Sequence, residues 1–389
     1  MRHVRNGDTP LKVGISGSYG GFNLGDEAIL HVILGELRRF APIEITVFSR
    51  DAEDTRRRHR VECVLELLTT PRREAQEILH NLDLFILGGG GLLYDGDAEM
   101  YIREVTLAHD VGTPVMTYAI SAGPLVDPGV RSRVRAALDQ AAIITVRDRQ
   151  TRQLLEELGV KREVVLTADP AVLLEPEPLT LDEILRAEAI DPQARLIGFS
   201  VREPGPAAPD LDVEHYHRLL ANTADYLIAR LDAEVVFFPL ERRTFDVQHS
   251  HAVVGRMNHA QQATVLKRDY TPGQILSLLQ HFEFCVGMRL HFLIFSALAG
   301  VPFVALPYAA KVKGFVDEMQ LPSTPALDHI SAGGLIAHVD RAWDLRDELR
   351  SRIQIGLGQL QTRARASGEL ALSVLSQAKG TGHASQGTR

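Results

Sequence analysis

Phe284-Cys-Val-Gly-Met-Arg-Leu-His-Phe-Leu-Ile-Phe-Ser-Ala-Leu-Ala-Gly-Val-Pro-Phe-Val-Ala305 decides the fold. Phe284 to Val286 reads as a buried strand, Phe292 to Ala299 as an apolar helix and Phe303 to Leu306 as the next strand, with Gly300-Val-Pro302 turning between them. A strand, a helix and a second strand joined by turns this short make a crossover unit of parallel sheet. Arg289 and His291 flank Leu290 at the first turn. In an extended backbone both side chains point to one side. The helix N-terminus beside them favours negative charge and offers N–H groups. Arg-x-His at this place, with Lys311 and Lys313 after the next strand, predicts a site for a compact anion next to a proton donor.

The same alternation extends in both directions. Before the quoted stretch, Leu196 to Val201 and Val235 to Phe238 read as strands, and Val213 to Leu231 and Pro272 to Gln280 as helices; after it comes the helix Val312 to Gln320. Near the start, Val13 to Ser16, Ile43 to Phe48, Leu84 to Leu87, Val115 to Ile120 and Ile143 to Val146 are short β-branched runs of the buried-strand kind. Helical patterns lie between them: Asp26 to Phe40, Arg72 to Asn81, Ala98 to Asp110, Val130 to Gln140 and Asp148 to Leu158. Leu174-Glu-Pro-Glu-Pro-Leu-Thr180 has the composition of a linker. The expectation is α/β, two doubly wound Rossmann-like domains facing across a cleft: residues 1–178, and 179–335 with the anion site. A C-terminal helix and a disordered tail, 336–389, complete it, and residues 1–10 are expected to be loose.

Composition narrows the function classes. The chain has 389 residues, 45% of them apolar, and a formal charge of -8. That balance argues against nucleic acid as a partner, which needs a basic face. No run is long and apolar enough to span a bilayer, and the first residues carry no apolar signal core, so a cytoplasmic location is expected. Cys63 and Cys285 read as lone buried thiols. His215-x-His217 falls on a helix, where i and i+2 diverge, and no metal is expected.

In doubly wound sheets ligands sit beyond the carboxyl ends of the strands, so the turns there are the candidate sites. Gly17-Ser-Tyr-Gly-Gly-Phe-Asn-Leu-Gly-Asp-Glu27 joins a strand to a helix but matches neither a dinucleotide nor a Walker fingerprint. Asn23 and the glycine density point to a site; Asp26 and Glu27 suit either a helix cap or a site. Gly88-Gly-Gly-Gly91 follows an apolar strand, and Gly89 and Gly90 would let a ligand approach the backbone. Ile120-Ser-Ala-Gly-Pro124 follows another strand at the same edge. Arg147 and Arg202 occupy matching places just past strand ends, as cleft guanidiniums or as solvated ones.

The second half looks like the donor half of two-domain GT-B glycosyltransferases, with Arg289 and His291 where a nucleotide-sugar enzyme commonly has a glutamate or small residues. More closely, Gly17 to Leu30, Gly88 to Leu93, Val146-Arg-Asp-Arg149, Thr167-Ala-Asp-Pro170, Gly287-Met-Arg-Leu-His291 and Lys311-Val-Lys-Gly-Phe315 resemble, in order, the motifs of the polysaccharide pyruvyl transferases. The resemblance is nearest to the bacterial cell-wall enzymes. Those often show Gln-Gly-Ile-Gly-Pro where this chain has Ala119-Ile-Ser-Ala-Gly-Pro124, which leaves the acceptor open.

This resemblance implies transfer of the pyruvyl group of phosphoenolpyruvate to a sugar of a cell-wall or exopolysaccharide precursor as a cyclic ketal. Phosphoenolpyruvate is then a co-substrate, with no further cofactor. Arg289, with Leu290 between it and His291, and Arg202 would hold the donor's two anionic groups, with Arg147 and Lys311 as weaker partners. His291 would be the acid, and Asp26 would orient or deprotonate an acceptor hydroxyl or serve only as a cap. The implied acceptor is lipid-linked or an oligosaccharide, which would bring the protein to the inner membrane face peripherally. A homo-oligomer is compatible with the sequence. The alternative is a GT-B glycosyltransferase using a nucleotide-sugar.

Overall fold

The computed structural model describes residues 10–381 apart from 41, 67–68, 204–210, 242–244, 323–326 and 328. The expected loose N-terminus therefore lies outside the described residues up to residue 9, and the expected tail lies outside them from residue 382. The chain forms two units: one of Phe22–Gly25 and Leu174–Gln359, the other of the remainder. The division anticipated at 178/179 thus falls at 173/174 in the fold. The segment expected as an appendage from residue 336 is instead shared, its part before residue 360 in the second unit and the rest in the first.

In the first unit the order is β1 (Leu11–Ser16), α1 (Leu24–Arg38), β2 (Ile43–Ser49), α2 (Ala52–Arg58), β3 (Cys63–Glu66), α3 (Arg72–His80), β4 (Leu84–Leu87), β5 (Gly90–Leu93), α4 (Ala98–Asp110), β6 (Val115–Ala122), α5 (Pro128–Leu138), β7 (Ile143–Val146), α6 (Arg149–Glu157) and β8 (Val164–Leu166). The first two residues of α1 belong to the second unit. The strands pair in parallel in the order β3-β2-β1-β4-β6-β7-β8, with β5 also on β6. Strands buried on both faces read as unbroken apolar runs, as Leu84 to Leu87 does, fully buried along its length.

The second unit follows with α7 (Leu181–Glu188), β9 (Arg195–Ser200), α8 (Val213–Leu231), β10 (Ala233–Phe237), α9 (Asp246–Val254), β11 (Ala263–Val265), α10 (Pro272–Leu279), β12 (Phe284–Gly287), α11 (Leu290–Leu298), β13 (Phe303–Ala305), α12 (Ala310–Glu318), α13 (Ala332–Asp344) and the first part of α14 (Arg346–Thr381), whose residues from 360 on belong to the first unit. Its parallel order is β11-β10-β9-β12-β13. Each sheet reverses its winding beside its first strand, at β1/β4 and at β9/β12. Such reversals open the crevice where ligands bind in this class of sheet. Helix α14 runs to Thr381, past Lys379 where the tail was expected to begin. In the first unit Ser367 on that helix donates to Thr167 Oγ1 at 2.9 Å.

Aromatic packing fixes the second sheet. The Phe238 ring lies 5.3 Å from those of Phe282 and Phe292, and Phe199 lies 5.5 Å from Phe237. Phe292 follows His291 directly, so this core sets where the first turn of α11 sits. Cys285 is buried in the same sheet, and burial pushes its thiol up to about 12. Cys63 is exposed, a correction to the expectation of two buried thiols: it opens the edge strand β3, which has a partner on one side only. Phe238→Ala removes the hub of this packing. It is expected to destabilise the second unit by about 3–5 kcal/mol, read as a lower denaturant midpoint at unchanged slope.

Candidate functional site

In the second unit, Arg202 stands two residues beyond β9 and Arg289 two beyond β12. The two strands are neighbours, and the Met288 N–H donates to the Ser200 carbonyl at 3.0 Å, which holds their ends level. Arg289 has extended backbone (φ -76, ψ 126) and is the N-cap of α11. Leu290, buried, is the first helical residue, and His291 lies in the first turn. The backbone is extended at Arg289 alone and helical from Leu290, so the condition under which both side chains would share one side is not met.

Arg289 was expected to hold an anion. Its guanidinium is instead buried between two carboxylates of its own unit. Nε lies 3.0 Å from Asp246 Oδ2, Nη2 bonds Asp246 Oδ1, and Nη1 is 2.7 Å from Glu241 Oε2. Asp246 is fully buried and also accepts the N–H groups of Leu240 (3.1 Å) and Glu241 (3.0 Å). Burial pulls the Arg289 pKa down, but Asp246 and then Glu241 outweigh it, and the net direction is up. For Asp246 burial wins over Arg289 and raises the carboxyl. The two directions pull the pair opposite ways; the two-pronged geometry with backbone donors on the same carboxylate is that of an ionised pair.

The loop after β10 that carries Glu241 also grips residues 22–25, which belong to this unit. The Leu24 N–H donates to the Leu240 carbonyl at 2.8 Å, and Asn23 bridges Glu241 in antiparallel fashion. Asn23, expected to touch ligand, has its Oδ1 on the Gly25 N–H at 3.0 Å, which caps the start of α1.

Arg202 remains as a cation of different character. It bonds the Tyr308 hydroxyl, and its guanidinium lies 4.8 Å from the centre of the Tyr308 ring. Tyr308 follows β13, three residues before Lys311 in the first turn of α12. Burial raises the Tyr308 pKa, but Lys311, Arg202 and Arg289 together overcome it and bring it below the ordinary value. Three cations thus act on one buried phenol at the carboxyl ends of β9, β12 and β13. Tyr308 was not singled out from the sequence; its place past a strand end, shared with Lys311, was the available signal.

A second polar cluster touches Arg202 from behind. The Tyr216 hydroxyl donates to the Arg202 carbonyl at 3.2 Å and lies 2.6 Å from His249 Nδ1. His217 Nε2 is 2.8 Å from that same Nδ1. Burial lowers both histidines, and for His217 the neighbouring His249 adds to it, down to about 4.

The remaining anticipated residues lie in the first unit. Arg147, just past β7, is buried and paired, its Nη1 2.6 Å from Asp169 Oδ2. Gly88-Gly-Gly-Gly91 is not an open ligand turn. A Cβ on Gly89 would meet Ile29 Cγ2 at 2.7 Å and the Tyr118 carbonyl at 3.2 Å, and Gly90 already begins β5. Gly90 has φ +102, which disfavours a side chain, and its missing Cβ faces Asp26 Oδ1. Asp26 is buried, and after burial itself it is the largest influence raising the Tyr19 phenol. Glu27 is tied to the fold, accepting the Gly20 N–H at 2.9 Å and lying 2.7 Å from His59 Nε2.

Solved structures share this architecture across nearly the whole chain. UDP-GlcNAc 2-epimerase from Neisseria meningitidis bound to UDP-GlcNAc has a TM-score of 0.63 at 10% identity, over 94% of this chain and 99% of that one. The S. aureus MnaA–UDP co-structure has 0.64 at 10%, over 93% and 95%. The glycotransferase of kitacinnamycin has 0.53 at 12%, over 94% and 100%. The fold is the GT-B kind, two Rossmann-like α/β sets with parallel sheets. The sequence profile described as polysaccharide pyruvyl transferase matches residues 23–309, and the chain belongs to that family, a family of transferases. No curated protein matches it. Among the described residues no helix is long and apolar enough to cross a membrane.

The His217 environment makes a pH prediction. A histidine lowered in the fold from 6.5 to about 4 leaves the unfolded chain binding more protons between those values. Its contribution to stability is therefore present above pH 6.5 and is lost as pH falls towards 4. Thermal melts should show a shallower acid decline for His217→Asn than for the parent protein over that window.

Proposed function

We propose that the protein moves the pyruvyl group of phosphoenolpyruvate onto two hydroxyls of a sugar in a cell-wall or exopolysaccharide precursor, forming a cyclic ketal and releasing phosphate. The observation that carries this reading is the grouping of Arg202 and Lys311 on Tyr308 at strand ends beside the turn bearing His291. Membership of the pyruvyl transferase family supports it. The donor carries a carboxylate and a phosphate, and a planar guanidinium with an ammonium suits that pair. Arg289 supports the site through its charge and its struts rather than as a direct ligand.

The chemistry needs one acid and two nucleophilic oxygens. His291 gives a proton to the methylene carbon while the first sugar hydroxyl adds to C2. Phosphate leaves C2 with its bonding electrons, and the second hydroxyl closes the ketal at the same carbon. Of the two hydroxyl protons, one restores His291 and one leaves on the phosphate. We assign acceptor binding to the strand ends of the first unit, where Asp26 is the candidate to orient a hydroxyl. A lipid-linked acceptor would hold the protein at the inner membrane face without any spanning helix.

Phosphate release from phosphoenolpyruvate against a panel of disaccharide-diphospho-lipid analogues tests the reading. His291→Ala should lower turnover by about 10²- to 10⁴-fold while the fold is kept. Arg202→Gln should act on the donor, raising KM for phosphoenolpyruvate by about tenfold or more, the loss of about 1.4 kcal/mol of binding. Uridine nucleotide-sugar turnover with no response to phosphoenolpyruvate would sink the proposal in favour of a glycosyltransferase.

A further inference from the structure

We infer that Gly25 is a positioning residue for His291: it is glycine because the imidazole occupies the place its side chain would take. This rests on the reading of His291 as the proton donor. A Cβ built on Gly25 would fall 1.9 Å from His291 Nδ1, 2.3 Å from Cγ and 2.6 Å from Cε1. These are three atoms of one ring, and all lie closer than a carbon can approach. Conformational freedom is not the reason for the glycine. Gly25 lies inside α1 and does not have a positive φ, so its backbone is open to any residue, and alanine is the stronger helix former there.

The backbone is held on both sides, so the imidazole ring is what must move to admit a Cβ. The backbone at Gly25 is held by Asn23 Oδ1, by the Leu24 bond to the Leu240 carbonyl and by the bridge from Asn23 to Glu241. Glu241 is in turn paired with Arg289, two residues before His291. The circuit closes on itself within one unit: the turn that presents the histidine also anchors the segment that confines it. On its own helix the ring meets Phe295, with centroids 6.4 Å apart. The part of the chain nearest its N-terminus therefore helps build the proton-donor side, which its sequence position does not suggest.

The test compares Gly25→Ala with Gly35→Ala in the full-length protein. Gly35 lies on the same helix, and a Cβ there would meet nothing within 4 Å. Gly25→Ala should lower kcat for pyruvyl transfer about 10²-fold, the scale of a displacement near 1 Å. KM for phosphoenolpyruvate should stay within about twofold and Tm should not fall, while Gly35→Ala should be normal throughout. Added to His291→Ala, the Gly25→Ala change should cost less than about twofold more, because the two share one interaction. If Gly25→Ala fails to fold but Gly25→Ala with His291→Ala folds, relief of the clash supports the inference; failure of both overturns it. If His291→Ala is inactive and Gly25→Ala is normal, this inference alone falls. If His291→Ala keeps near-normal transfer, the proton-donor assignment falls with it.

Discussion

The second unit is organised around a single buried guanidinium. Taking an arginine out of water costs several kcal/mol unless its donors are matched. Arg289 meets that demand with Asp246 on two of its nitrogens and Glu241 on the third. Each of those acids then commits backbone. Asp246 collects the N–H groups at 240 and 241, and the Glu241 strand edge receives Asn23. One cation thereby ties together the loop after β10, the start of α9, the cap of α11 and a segment from the far end of the sequence. A lysine could not hold this arrangement, since it lacks the planar fork that addresses two carboxylates at once.

Topology explains why these groups meet. Both sheets change winding direction next to their first strand, so the turns after β9 and β12 leave in opposite directions and open a gap. Arg202 comes from one rim and the Arg289–His291 turn from the other. Tyr308 enters from the next strand over, where it lowers the freedom of Arg202 by bonding its guanidinium and lying against its face. Tyr216, bonded to the half-buried His249 and the buried His217, secures the Arg202 backbone from behind. An arginine held at both its carbonyl and its guanidinium is pre-organised.

Most of the sheet was legible because parallel strands covered on both faces are plain apolar runs. Leu84 to Leu87 and Ile143 to Val146 have the same limits in the sequence and in the fold. β3, β8 and β11 were missed for the opposite reason: they are edge strands of three or four residues, with less apolar signal. β5 was hidden by Gly90 and Gly91, which look like turn residues until β6 pairs with them. In the site, His291 and Arg202 could be picked out by their places after strands. The true partners of Arg289 could not, because Asp246 lies 43 residues away on a helix the reading did not propose, and no spacing rule links them.

That blind spot bears on how basic motifs should be weighed. An arginine beside a histidine at a helix N-terminus looks like an anion site whether or not its charge is already spent. Here the first cation of the motif is buried and its guanidinium is bonded to two acids of the protein, although its charge still reaches Tyr308. Lys311, Arg202 and Arg289 together outweigh the burial of Tyr308, so positive charge is still felt at the ends of these strands. Under the proposed function, attraction for the donor would rest more on residues 202 and 311, outside the motif, while the Arg289 pairs brace the turn. On that reading, affinity for the anion and the placing of the proton donor would be divided between different parts of the second sheet.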